Sequence, residues 1–491
     1  MAYLLIEMVK IHLDIRDPSM TFLHRVGVAG LFVQLKYLQN FKFKPPHGLN
    51  WSLTAQTIEL DWTGKDLDAL QWLFSQSFQI DSDKLIYFPA IEHSLNFKQK
   101  LAIHRSLQNS FLQHNQFFKS AGKVILEKGD RKIEYRSCDS YVHQRATDFL
   151  CDRHGNLQSQ PIKITGWIYP GATVKHELLK ESTQFTESPS HFLGLLFAPL
   201  TCSHVSISPN WQQRKVQNGI ILAEVIDLEK YALQSIHYWA SGWADAALKF
   251  LAKTTTSEQL NQRDIHRCLV IPFGRATWAK QQQTLLGAET IEIDTEHLEV
   301  YQVLSGEFKQ SNLLSQMIAE NLINRKSWWS GFADLFTHEK VYSTIKCYPN
   351  QLKNMLKKTE WDMEAQELFV RACHQALSIT FGKISGTTKE GYYPQFERKL
   401  IQLRSDLERC QNAATFRDFI TSFWGNAGTI KVLQDSWQQI LPLTTGQGDW
   451  RMAKSLFLLA MASYKGKELE TQNTDKLPTS DTSTATIESE I

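Results

Sequence analysis

Paired cysteines, long apolar runs, a charge excess of either sign and recognisable catalytic motifs are all missing from this sequence. Its seven cysteines are an odd number and contain no CxxC pair, which argues against a disulfide framework and for a reducing cytoplasm. The apolar run Leu456 to Ala462 is the longest near the C-terminus, far short of the roughly 20 residues a helix needs to cross a bilayer. The opening MAYLLIEMVK has no basic leader and carries Glu7 inside its apolar run, so no signal peptide is expected. Lys and Arg number 53 against 51 Asp and Glu, so bulk charge selects no partner and local clusters must do so. There is no GxxxxGK[ST] loop, no GxSxG elbow, no HExxH and no His-Asp doublet, and a protein without catalytic activity is expected. Cys138, His143, Cys151 and His154 give C-x4-H-x7-C-x2-H. That spacing matches no standard zinc finger, and Cys138 to Cys151 reads equally well as a helix, so neither metal nor cofactor is expected.

What is present suggests roughly three domains. The pattern predicts an α+β multidomain chain, with a ferredoxin-like or mixed α/β N-terminal region followed by an all-α C-terminal bundle. The expected division is 1–140, 141–350, 351–464 and a disordered tail at 465–491, which is polar and lacks aromatics. Lys10 to Asp14 alternates as a strand. Asp17-Pro18 reads as the N-cap and first residue of a helix over 19–39. In that helix Leu23, Leu31, Leu35 and Leu38 face the core, while Gly27 and Gly30 leave room for another backbone. Thr57 to Trp62 alternates as a strand, and Thr63 to Asp66 resembles a capping box before a helix over 67–78. Ile164 to Tyr169 reads as a strand stopped by Pro170-Gly171, with Lys175 and His176 just beyond. The unbroken apolar run Leu193 to Leu200 reads as a strand buried on both faces.

Charge departs from the mean between Lys98 and Arg136, where nine Lys and Arg meet only Glu127, Asp130 and Glu134. The first half, 98–119, has helical spacing through Leu101, Leu107, Phe111 and Phe117, predicting a helix with a basic face suited to phosphates. Val205 to Ile207 and Gly219 to Val225 read as strands joined by SPNWQQRKVQNG. In that loop Asn210, Gln212 and Gln213 suit adenine edges, Arg214 and Lys215 suit guanine or phosphate, and Trp211 can stack. With Lys175, His176, Lys119, Lys123 and Arg25 they make the expected DNA-binding set. Glu229 to Lys253 reads as a helix, Cys268 to Phe273 and Ile291 to Ile293 as strands, and Leu313 to Leu335 as mainly helix. Beyond Pro349 the pattern is helical at 351–381, 393–410, 415–424, 430–441 and 450–464, with glycines marking the breaks and Pro442 following the fourth helix. Arg398, Lys399, Arg404 and Arg409 lie on one of these helices and form a candidate strand-binding group, although their spacing does not make one stripe.

Several strings carry a resemblance. HRVGVAGL (24–31), FLQHNQ (111–116), GWIYPGATVKHE, LLFAPLTC, AEVIDL (223–228) and DWRMAKSLFLLAMASY are similar, in that order, to the large subunit of type I CRISPR Cascade complexes, in the branch called MYXAN. The resemblance implies a non-catalytic subunit beside CRISPR RNA and the Cascade backbone and foot subunits. Such a subunit reads the protospacer-adjacent motif on target double-stranded DNA, supports the R-loop and recruits a helicase-nuclease. A transposon-associated relative would recruit a transposition adaptor instead. A nuclease using a histidine base and a scaffold binding only protein are the readings from other classes. In some relatives the small subunit is made by internal translation, and the purine-rich codons required by Lys357, Lys358 and Glu360 favour Met363 over Met355 as its start.

Overall fold

The computed structural model describes residues 10–464, apart from 47, 93–94, 115, 121, 129–130, 171–184, 208–216, 232–236, 278–281, 308–312, 336–348, 388–391 and 446–449. The chain divides into two compact units, Met1–Leu298 and Glu299–Ile491. The expected stretch 141–350 therefore contributes to both.

In the first unit, Ile11 and Leu13 alternate inward along β1 (Ile11–Asp14), followed by α1 (Phe22–Asn40), β2 (Asn50–Leu53) and β3 (Thr57–Asp61). They form an antiparallel sheet of order β1-β3-β2. A strand, a crossing helix and a strand placed across β3 is the split β-α-β start expected of a ferredoxin-like region. Asp17 does not cap the helix. Its Oδ1 accepts the backbone N–H of Ser19 at 2.8 Å and the Ser19 hydroxyl at 2.7 Å, a local turn that competes with helix formation, and α1 starts only after Thr21. The expected capping box at 63–66 does not form either: α2 (Asp66–Ser77) follows Lys65 without a side-chain cap. Asp66 is taken up instead by Trp62 Nε1 at 2.8 Å, Lys10 Nζ at 2.7 Å and the Leu157 N–H at 2.7 Å.

The helix over 98–119 is shorter than expected. It ends as α3 (Phe97–Asn109), and Phe118–Lys119 is a short strand. The rest of the basic segment is a two-stranded ribbon, β4 (Lys123–Lys128) against β5 (Arg131–Arg136). Nor is Ile164 to Tyr169 a strand. The strand, β6 (Ile162–Lys163), precedes it and pairs with β7 (Thr186–Glu187), while 166–168 turn.

The apolar run at 193–200 is helical: α4 (Pro189–Leu196) leads into α5 (Ala198–Thr201). Ser188 caps α4 by accepting the His191 N–H at 3.2 Å, and Pro189 occupies its first turn. The run is continuous because α4 is buried all round, with Leu193, Leu195 and Leu196 fully covered. What covers it is α1. A Cβ on Gly27 would lie 2.3 Å from the Gly194 carbonyl oxygen, and one on Gly30 would lie 2.2 Å from that of Phe197. The two glycines of α1 are thus backbone contacts, as their spacing suggested.

Beyond α5 lie β8 (Ser203–Ile207), β9 (Gln217–Ala223), β10 (His237–Ala240), α6 (Trp243–Thr254), β11 (Ile265–Thr277), β12 (Gln282–Leu286) and β13 (Glu289–Asp294). Their sheet runs β10-β8-β9-β11-β12, with β13 also paired to β11. Only β8 and β10 are parallel among these pairs. The expected helix over 229–253 is therefore interrupted by β10, and only its second half, α6, is a long helix. β10 carries Trp239, whose neighbours Tyr238 and Ala240 are buried.

The second unit is helical. The longer helices are α7 (Leu313–Ile323), α8 (Pro349–Lys358), α9 (Glu364–Thr387), α10 (Tyr392–Glu408), α11 (Ala413–Ala427), α12 (Lys431–Thr444) and α13 (Trp450–Ser463). The single helix expected over 351–381 is two, α8 and α9, separated at 359–363. Gly382 and Gly386 sit inside α9 rather than ending it, and Pro442 lies within the final turn of α12. The ends of α11 and α13 fall close to the expected ones. α9 packs on α12 and α13, and His374 of α9 reaches the Ala460 carbonyl at 3.1 Å and the Ser463 hydroxyl at 3.0 Å.

Candidate nucleic-acid interface

A β-strand turns alternate side chains to opposite faces, so the β4–β5 ribbon has two unlike sides. Val124, Leu126, Ile133 and Tyr135 face inward against Leu85, Leu101 and Phe97 of the neighbouring segments. Lys123, Ile125, Lys132, Glu134 and Arg136 face outward and are exposed, Ile125 by 60%. Lys123 stands opposite Arg136 and Ile125 opposite Glu134. Lys123 Nζ pairs with Glu134 at 2.6 Å, and Arg105 from α3 donates to the Glu134 carbonyl oxygen at 2.6 Å. Arg136 lies over the Phe118 ring at 5.1 Å, and exposed Lys119 follows in sequence. Among the described side chains the outer face of the ribbon therefore carries Lys123, Lys132 and Arg136 together with the Glu134 carboxylate. A two-stranded ribbon has the width to enter a major groove. The basic residues were evident in sequence but their element was not; the Gly129-Asp130 dipeptide between two β-rich runs was the hairpin signal.

Asn210, Trp211, Gln212, Gln213, Arg214 and Lys215 lie outside the described residues, as do Lys175 and His176. The strands on either side of the first group are fixed, with Ile207 opposite Gln217 and a Ser206–Asn218 side-chain bond of 2.9 Å. Arg25 is half-buried on α1, and its Nε is buried with no hydrogen-bond partner. In the second unit, Arg404 pairs with Glu408 at 2.9 Å, and Arg409, beyond the end of α10, approaches Asp406 at 3.8 Å. Lys399 bonds Gln402 at 3.2 Å, and Arg398 is exposed. These four do not form one cationic stripe, in keeping with their spacing.

Cys138, His143, Cys151 and His154 do not converge. The two cysteines are buried and His154 is exposed. His143 sits among the rings of Phe78, Tyr141 and Trp167, with neither ring nitrogen bonded. Burial pushes the Cys138 thiol up to about 12 and the His143 imidazole down to about 3, so both stay neutral. Sequence reasoning missed a different group: His24, Glu187 and His191, joined from α1, β7 and α4. Its signal was the Glu-Ser-Pro-Ser-His string at 187–191.

Residues 12–196 match the model of the DevT N-terminal domain and residues 357–488 that of the DevT C-terminal domain. Together these take in well over half of the chain. The chain is also 24% identical, over 92% of its length and 88% of the relative's, to the CRISPR-associated protein Cas8a1/Csx13 of Myxococcus xanthus (strain DK1622).

Proposed function

This chain belongs to the large-subunit family of type I CRISPR Cascade complexes, and from that premise we propose that it reads the protospacer-adjacent motif on duplex DNA for a CRISPR RNA-guided complex. The observation that carries the reading is the segment 208–216. Its sequence concentrates amides, cations and a tryptophan, and it joins two central strands whose ends are held in register by Ile207 and Gln217. The described strand ends at Ile207 and Gln217 are fixed by the sheet, and edge-on hydrogen bonds to bases need fixed geometry. The ribbon face with Lys119, Lys123, Lys132 and Arg136 supplies phosphate contacts, which position the duplex without reading it. Base pairing with the guide then reads the remaining sequence, while the subunit supports the R-loop and recruits the helicase-nuclease. The test is binding of the assembled complex to duplexes differing only in the motif. Gln212→Ala with Gln213→Ala should reduce discrimination by about 1–3 kcal/mol. Full retention of motif preference in that double variant would overturn the assignment.

The same reading includes a second polypeptide beginning at Met363. Met363 is 45% exposed in the break before α9, whereas Met355 is fully buried within α8. A start at Met363 leaves α9 through α13 whole. A start at Met355 would cut a helix.

A further inference from the structure

His24, Glu187 and His191 form a cluster whose three donor atoms all fall within 4.8 Å of one another. Glu187 stands between the imidazoles. Its Oε1 is 3.3 Å from His24 Nε2 and its Oε2 is 3.3 Å from His191 Nδ1. Donors about 2.1 Å from a tetrahedral ion lie about 3.4 Å apart, and each imidazole nitrogen has a Glu187 oxygen at close to that separation. His24 is the telling member. It is 2% exposed, and its Nε2 has no hydrogen-bond partner of acceptable geometry although a carboxylate oxygen lies beside it. A buried polar atom without a partner is costly, and a cation at the centre would satisfy it.

The surrounding contacts are those a metal site needs. The other nitrogen of His24, Nδ1, lies 2.9 Å from Thr21 Oγ1, which also accepts the Tyr169 hydroxyl at 3.1 Å. The other nitrogen of His191, Nε2, lies 3.4 Å from Asp17 Oδ2. His24 Nδ1 also lies 3.3 Å from the Thr21 backbone N–H, so each imidazole has one nitrogen turned toward the cluster and the other held from outside, which fixes ring orientation. The three side chains come from α1, from the end of β7 and from the first turn of α4, which follows β7 directly.

We propose that His24 Nε2, Glu187 and His191 Nδ1 bind one divalent transition-metal ion, zinc by donor type, as a clip holding the start of α1 to β7 and α4. Two nitrogens and one carboxylate suit zinc and leave the fourth position to water. The ion's binding free energy adds to folding stability.

The test uses the full-length chain. After chelation and buffer exchange, zinc or cobalt(II) chloride is added, and metal content, the visible cobalt spectrum and the unfolding midpoint are read. The expected result is about one ion per chain, cobalt d–d bands of a four-coordinate N/O site and a midpoint raised by several degrees. In Glu187→Gln and His191→Gln the bands and the shift should disappear, while the circular dichroism spectrum stays that of the parent. No stoichiometric binding and no midpoint shift in the parent chain would overturn the proposal. So would equal binding by both variants, which would put the ion elsewhere.

Discussion

At Gly27 one methyl group separates a helix seated on its neighbour from a helix pushed away, because the Gly194 carbonyl oxygen already occupies that space. Backbone cannot step aside as a flexible side chain can, so Gly27→Ala should lower stability by about 3 kcal/mol, read as a shift in the urea midpoint. Gly425 is the contrasting case. It lies inside α11 with open space around its Cα, and Gly425→Ala should stabilise by about 0.5–1 kcal/mol. Glu92 gives a pH dependence. It is fully buried, with one oxygen bonded to the Phe88 N–H at 3.2 Å and the other unpartnered. Burial pushes its carboxyl up to about 8 against 4.5 for an ordinary glutamate. Between those values the folded chain holds a proton that the unfolded chain has released, so Glu92 makes stability fall as pH rises through that window. Glu92→Gln should flatten this part of the stability–pH curve and leave the variant more stable than the parent at pH 8, measured by denaturant unfolding across the range.

The elements were legible where the periodicity was clean. Ile11 with Leu13, and the alternating 57–61, gave strands in their observed places, and the helices at 413–427 and 450–463 were bounded within a few residues. The run 193–200 was misread because a strand and a helix buried all round leave the same unbroken apolar string; Ser188-Pro189, an N-cap and first-turn pair, was the deciding signal. The opposite error occurred at 110–119, where helical spacing was extended past Asn109 into a segment that ends in the short strand Phe118–Lys119. This changes the expected behaviour of the basic face, because Lys119 and Lys123 follow one another along strands rather than a helix. Their joint replacement by Ala should weaken binding to all duplexes alike and reduce the slope of log K against log salt by about 2. The slope is read from titrations of the assembled complex, and an effect on one motif alone would assign these lysines to base reading. The His24–Glu187–His191 group was not legible, since its members are brought together by α1 and α4 packing across more than 160 positions of sequence.

On the scale of the whole molecule, the helical unit bears on the proposed second product. α8 buries Leu352 and Met355 and packs on α13, so a chain beginning at Met363 leaves part of α13 uncovered. It should fold less stably alone than a chain beginning at Pro349, and associate with partners through the exposed face. Intact-mass measurement of the complex made from the native gene is expected to find both the full-length chain and the product from Met363; the full-length species alone would rule the product out. For the first unit, five cross-strand pairs hold β8 to β9, and every β8 residue in them is buried. None of those pairs draws on residues 208–216. The segment can therefore be exchanged for one of another length or composition while the sheet keeps its register, so variation there needs no new solution to folding.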